Sequence, residues 1–177
     1  MQSETLDVVW YSDGIRKLKI PQRVLDELYA YGQRGGRREN GGILLGLVFK
    51  DYDEILELGT PSQSDKTGLF SFIRRRKPAQ QKINRAWNIS GGYLIYLGEW
   101  HTHPRSDPTP SEQDRRMIEN ALQKTLMEID YLYLVIAGSN RSIWMGRQGR
   151  KGLKMLNPRD RRSPTKGHPP IGPQESV

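Results

Sequence analysis

Glu99-Trp100-His101-Thr102-His103-Pro104, followed shortly by Thr109-Pro110-Ser111-Glu112-Gln113-Asp114, reads as a strand that gives way to a helix. Pro104 lacks an amide donor and ends the strand. Beyond it, Thr109 suits a helix N-cap, Pro110 the first helical position and Glu112 the third, a capping box that opens a helix at about residue 110. Met117, Ile118, Ala121, Leu122 and Leu126 follow at helical spacing and form a stripe to be buried.

The same stretch carries chemistry. On an extended strand alternate side chains share a face at roughly 6.6 Å intervals, so His101 and His103 can converge on one ion while Thr102 points away. With Thr109 as the cap, Ser111 is left spare. Ser111 and Asp114 lie three apart on one helix face, and a carboxylate at the head of an apolar stripe is costly to desolvate unless paired or metal-bound. Two imidazole nitrogens, one carboxylate oxygen and an open position for water describe a catalytic zinc site. Hydrolysis there needs a base for the proton of the attacking water, and Glu39 is the candidate. It precedes Asn40-Gly41-Gly42 and the apolar run Ile43-Leu44-Leu45, and the glycines permit close backbone approach.

Taken together, Glu39 with Gly41-Gly42, then His101-Thr102-His103-Pro104, Ser111 and Asp114, resemble the full signature of the JAMM (MPN+) metalloproteases, zinc isopeptidases that remove ubiquitin-like proteins. The resemblance spans roughly residues 6 to 157, and no motif position departs from the pattern. It implies an α/β fold: a single JAB/MPN-like (cytidine-deaminase-like) domain with a central mixed β-sheet flanked by helices. It further implies Zn2+ on His101, His103 and Asp114, Glu39 as general acid and base, and Ser111 donating a hydrogen bond to the oxyanion. The run Gly98 to Pro104 and the N-terminal strand also resemble the small bacterial members of CBASS antiphage operons. Those members cut the bond joining the C-terminus of a cyclic nucleotide synthase, a cGAS/DncV-like nucleotidyltransferase, to its targets. Processing of a sulfur-carrier or other ubiquitin-like protein, and a binding module that does not cleave, are the alternatives.

Length and composition agree with one catalytic domain over residues 1–157 and a basic, Pro-rich, disordered tail over 158–177. A chain of 177 residues buries one substantial core. The absence of cysteine removes disulfides and a thiol nucleophile, and suits a cytoplasmic protein. No signal peptide or membrane span is legible. Lysine and arginine number 28 against 20 acids, a net charge of +8. These charges cluster at Arg34 with Arg37 and Arg38, at Arg74 to Lys77, and at Arg147 to Lys154 with Arg159 to Arg162. Solvated loops and attraction of an acidic protein partner both account for them, whereas no nucleic-acid-binding signature accompanies the charge.

The coarse pattern predicts a hairpin of Leu6 to Tyr11 and Arg16 to Ile20 turned at Asp13-Gly14, then a helix opened by Pro21 and running to about Tyr31. Strands follow at Ile43 to Phe49 and Glu54 to Leu58, and a second helix at Pro78 to Ile89. After the metal-bearing strand, Tyr93 to His103, and the helix over 110–127, strands are expected at Tyr131 to Ala137 and Ser142 to Arg147, with an edge at Leu153 to Leu156. Residues Thr60 to Lys77 form a long connection with one short strand and are the candidate flap of a groove in which an extended peptide adds to a sheet edge. Alternation puts Glu99 on the face of His101 and His103, with Tyr93, Ile95 and Leu97 beneath. There it orients an imidazole or, the favoured reading, forms a structural ion pair; Trp100 points into the core.

Overall fold

The computed structural model describes residues 7–34, 39–59, 66–67, 72–73, 76–125, 129–159 and 168–173. In chain order the elements are β1 Val8–Ser12, β2 Lys17–Pro21, α1 Gln22–Arg34, β3 Gly41–Val48, β4 Tyr52–Gly59, β5 Lys66–Thr67, β6 Phe72–Ile73, α2 Arg76–Ser90, β7 Ile95–Thr102, α3 Glu112–Lys124, β8 Leu132–Ala137, β9 Ile143–Gly149, β10 Gly152–Met155 and β11 Asn157–Arg159. Nine strands make one mixed sheet in the order β10-β9-β8-β7-β3-β4-β2-β1-β11, parallel at β7/β8 and β2/β4 and antiparallel elsewhere. The expected α/β class, with a mixed sheet and helices packed on it, is the observed one.

The sheet order forces strong curvature. β10 and β11 sit at opposite ends of the sheet, yet only Leu156 separates them in sequence. Two peptide steps span at most about 7.6 Å, so the sheet must curl until its edges approach each other. Leu156 is buried, with its N–H on the Met145 carbonyl at 2.9 Å. α1 fills the concave side: Val24, Leu25 and Leu28 pack with Leu18, Ile20, Ile55, Leu97, Trp100, Tyr133 and Val135 from strands of both halves of the sheet. α2 and α3 lie outside, where Ala79, Ala86 and Ile118 cover Ile43, Leu45, Leu132, Leu134 and Ile136. Each buried aliphatic side chain contributes about 1.5–3 kcal/mol through its removal from water.

Some expected elements shift. Pro21 closes β2 rather than opening the helix, and Gln22 begins α1 with its N–H on the Asp7 carbonyl at 2.7 Å. The 60–77 connection carries two short paired strands, Lys66↔Ile73 and Thr67↔Phe72, where one was expected. Its other residues up to 75, like Arg37, Arg38 and Leu126, lie outside the described residues. Within the expected disordered tail, 158–159 belong to β11, and 168–173 are placed against the body of the domain. There Ile171 N–H donates to the Val48 carbonyl at 2.7 Å, and Gly172 lies against Tyr93.

A polar cluster anchors the end of the sheet remote from His101. Asp53 is fully buried and accepts from Arg16 Nε at 3.0 Å, Tyr131 Oη at 2.9 Å and Tyr133 Oη at 2.7 Å. Arg147, expected in a solvated cluster, instead faces inward and donates to Asp13 at 2.8 Å. Part of the net positive charge is therefore structural, held by buried carboxylates, and is not available to a partner.

β7 departs from simple alternation, and this corrects the reading around Glu99. Leu44 pairs with Gly98 while Leu45 pairs with Tyr96, so Leu97 is an inserted bulge residue. Below the bulge the faces exchange. Leu97 joins Trp100 on the concave side, while Tyr96 and Leu94 lie on the outer face with Glu99. Gly98 has φ +151°, and a Cβ there would strike the Tyr133 carbonyl oxygen, so glycine is what allows the strand to turn over. As a result the Tyr96 hydroxyl, three residues away, donates to Glu99 Oε1 at 2.6 Å in a buried contact.

Candidate metal centre

The site forms where β7 ends beside β3 and β8. His101 pairs with Gly41 on one side and with Ile136 on the other, and His103 continues the ladder through its N–H to the Ala137 carbonyl at 2.9 Å. Both imidazoles project from one face, as the spacing of two requires. The β7-to-β8 crossover then brings α3 over that face, with Ile118 as its buried anchor.

The start of α3 differs from the sequence reading. The helix begins at Glu112, and its N-cap is Ser111 (φ −73°, ψ 170°), not Thr109. Ser111 and Asp114 are the two ends of the capping box: Asp114 N–H donates to Ser111 Oγ at 3.2 Å, and Ser111 N–H and Oγ–H both donate to Asp114 Oδ2 at 2.7 Å. Two overlapping boxes compete in this sequence, Thr109 with Glu112 and Ser111 with Asp114. The second prevails because its carboxylate also meets the imidazoles. Ser111 is therefore not spare; it ties the helix start to the same oxygen that faces His103.

Three groups converge. His101 Nε2 stands 3.0 Å from Asp114 Oδ1, His103 Nε2 stands 3.2 Å from Asp114 Oδ2, and the two Nε2 atoms are 3.1 Å apart. One ligand atom from each residue lies within 4.8 Å of the others. These separations fit a tetrahedral cation, whose ligands at about 2.0–2.1 Å stand roughly 3.3 Å from one another. His101 is buried and the other two are nearly so, leaving a restricted approach for a fourth ligand. Burial opposes ionisation of Asp114, but hydrogen bonds from His101 and His103, electrostatic attraction to His101 and the Ser111 hydroxyl together hold its carboxyl far below the usual range. An anionic carboxylate beside two imidazoles is the donor set a divalent cation takes.

Glu39 stands beside this cluster, two positions ahead of the Gly41↔His101 pair, and is buried. Burial pushes its carboxyl pKa up; His101 and His103 oppose the shift, and the Asp114 charge adds to it. Such a carboxylate has a raised affinity for a proton, as a proton acceptor needs. The glycine after Asn40 is followed by one whose side chain could not fit: a Cβ on Gly42 would strike the Gly59 carbonyl and the Trp100 indole. Trp100 is core, as expected, with Tyr31 at 4.8 Å and its Nε1–H donating to Gly59 O at 3.3 Å.

One residue escaped the sequence reading. Thr102 does point away from the imidazoles, but its Oγ1 accepts the Asn40 N–H at 2.9 Å. Alternation assigns a face and cannot assign that bond.

Residues 21–148 match the family model described as prokaryotic homologs of the JAB domain. The chain belongs to that family. A relative described as a CD-NTase/cGAS isopeptidase, from Escherichia coli, is 29% identical over 151 residues, covering 85% of this chain and 94% of that one. Another, described as a probable metalloprotease from Sinorhizobium fredii, is 28% identical over 107 residues, covering 59% of this chain and 65% of that one. A solution structure of a Desulfitobacterium hafniense protein superposes with a TM-score of 0.57 at 17% identity, over 77% of this chain and 87% of that one, a likeness of fold. This JAB domain is thus a hydrolytic enzyme of the JAMM type with a candidate metal site on His101, His103 and Asp114. The resemblance to the CBASS branch agrees with its relatives. Among the described residues, no helix is long and apolar enough to cross a membrane.

Proposed function

We propose that this JAB domain is a zinc-dependent isopeptidase that cleaves after the C-terminus of a conjugated protein, and that its substrate is a CD-NTase/cGAS-type nucleotidyltransferase joined to a target. The observation that carries this reading is the convergence of His101, His103 and Asp114 next to a buried Glu39 and the Ser111 hydroxyl. The naming of its relatives as CD-NTase/cGAS isopeptidases supports the substrate. Residues 1–157 form the catalytic unit, and the setting is cytoplasmic antiphage defence.

His101, His103 and Asp114 would hold the ion, which when bound would supply Lewis acidity, bringing the pKa of water down towards about 7 and polarising the scissile carbonyl. Glu39 takes the proton of the attacking water and returns it to the departing amine, a lysine Nζ if the bond is an isopeptide. Ser111 Oγ, now donating to Asp114, turns to donate to the oxygen that becomes negative. Ser111→Ala is expected to reduce turnover about 100-fold by removing that donor. Because Ser111 is also the N-cap, the same change should cost about 1 kcal/mol of stability. Steady-state kinetics and thermal melting read the two effects separately, and zinc content should stay at one per chain.

The direct test uses a fusion in which the C-terminal tail of a CD-NTase is joined by its last residue to a reporter protein. The zinc-loaded protein should release the intact tail, located by mass spectrometry. A chelator should stop the reaction and added zinc restore it. Cleavage that proceeds unchanged after complete removal of metal would overturn the reading.

A further inference from the structure

The joint between β3 and β7 next to Glu39 is closed by a side chain rather than by the backbone. Thr102 N–H donates to the Asn40 carbonyl at 2.8 Å. In a regular antiparallel ladder the partner amide returns the bond to the carbonyl of the same residue. Here the Asn40 N–H goes to Thr102 Oγ1 at 2.9 Å, and Thr102 is only 1% exposed. The chain therefore leaves the ladder at Asn40, and Glu39 is the next residue out. On the other side of this joint the backbone is fixed at Gly42 by Gly59 and Trp100. Among the described residues no hydrogen bond or ion pair holds the Glu39 side chain, so its position depends on the backbone at Asn40.

We propose that Thr102 is a positioning residue of the reaction: its hydroxyl, by gripping the Asn40 amide, sets where the Glu39 carboxylate stands relative to the metal centre. This rests on Glu39 acting as the proton acceptor. It assigns to the residue between the two histidines a task that neither metal ligation nor packing requires. Valine has the shape of threonine without the acceptor, while serine keeps it. Misplacing a reacting group by about 1 Å costs on the order of 100-fold. Thr102→Val is therefore expected to lower kcat about 10- to 100-fold on the tail–reporter fusion, with KM and one bound zinc per chain retained. Thr102→Ser should stay close to the wild-type rate. Hydrogen exchange should show the Asn40 amide exchanging faster in Thr102→Val while the His103 amide, bonded to Ala137, keeps its protection.

Glu39→Gln separates the two levels of the argument. It should be inactive alone, and adding Thr102→Val to it should cost nothing further, since the group being positioned is already lost. If Glu39→Gln is inactive while Thr102→Val has wild-type kcat, the positioning role is wrong and the proton-transfer role stands. If Glu39→Gln is fully active, both fall. Zinc content falling in step with kcat, or Thr102→Ser as impaired as Thr102→Val, would assign Thr102 to ligand support or packing and overturn the proposal. Should Thr102→Val not fold, Thr102→Ala at reduced temperature carries the same comparison, and an unchanged kcat there overturns it equally.

Discussion

Asp114→Ala is expected to empty the metal site and abolish hydrolysis, with activity lower by on the order of 1,000-fold or more because the water is no longer acidified. The carboxylate faces both imidazoles, at 3.0 and 3.2 Å, and accepts the Ser111 N–H and Oγ–H on the oxygen nearer His103. Its removal therefore has two consequences. His101 and His103 keep their strand positions, since those are set by β3 and β8, but two imidazoles without an anion bind a divalent cation far more weakly. The first turn of α3 also loses the Asp114 half of its capping box, while the Ser111 Oγ still caps the backbone N–H of residue 114. Elemental analysis should find less than one zinc per chain, and melting should shift down modestly even when wild type and variant are compared metal-free. A variant that kept one zinc and full turnover would remove Asp114 from the ligand set.

Glu39→Gln is expected to give the opposite pattern, with zinc retained and chemistry lost. Glutamine preserves size and burial but cannot take a proton at neutral pH, and general acid–base catalysis contributes about 100- to 10,000-fold. The loss should appear in kcat with substrate binding intact, so the variant should trap the uncleaved fusion in a pull-down. The pH profile offers a second readout. Burial raises the Glu39 pKa, so with Glu39 as the proposed proton acceptor activity should fall as pH drops through that raised value. The acidic limb should therefore lie higher than for an exposed glutamate, and Glu39→Gln should abolish it. Residual activity with an unchanged acidic limb would place proton transfer on another group.

These two variants divide the site along a line that tracks what was legible in the chain. His101, His103 and Asp114 could be read locally, because a strand repeats every two residues and a helix roughly every 3.6, and both periods bring neighbours in sequence together in space. Glu39 could not be placed that way. It lies just ahead of a different strand, β3, and only the pairing of Gly41 with His101 carries it to the candidate metal centre. The motif as a whole supplied the assignment that spacing could not. Strand boundaries were less well read. Proline suits the first turn of a helix and equally the end of a strand, and at Pro21 the Gln22 bond to Asp7 decides for the strand end.

The sequence by itself determined the candidate donor set, the strand-then-helix order that delivers it, the amphipathic faces of the helices and the α/β class, because each follows from short-range periodicity or side-chain chemistry. Tertiary structure alone decided the rest. It chose Ser111 over Thr109 as the cap, since the Asp114 carboxylate gains from two imidazoles that no local rule includes. It inserted Leu97 as a bulge and so placed Tyr96 rather than Leu97 beneath Glu99, through a register that depends on β3 and on the room Gly98 leaves against Tyr133. It curled the sheet until β10 and β11 stood one residue apart. Such choices are made by contacts between residues far apart in the chain, whose energies compete with local preference by only about 1 kcal/mol and can override it.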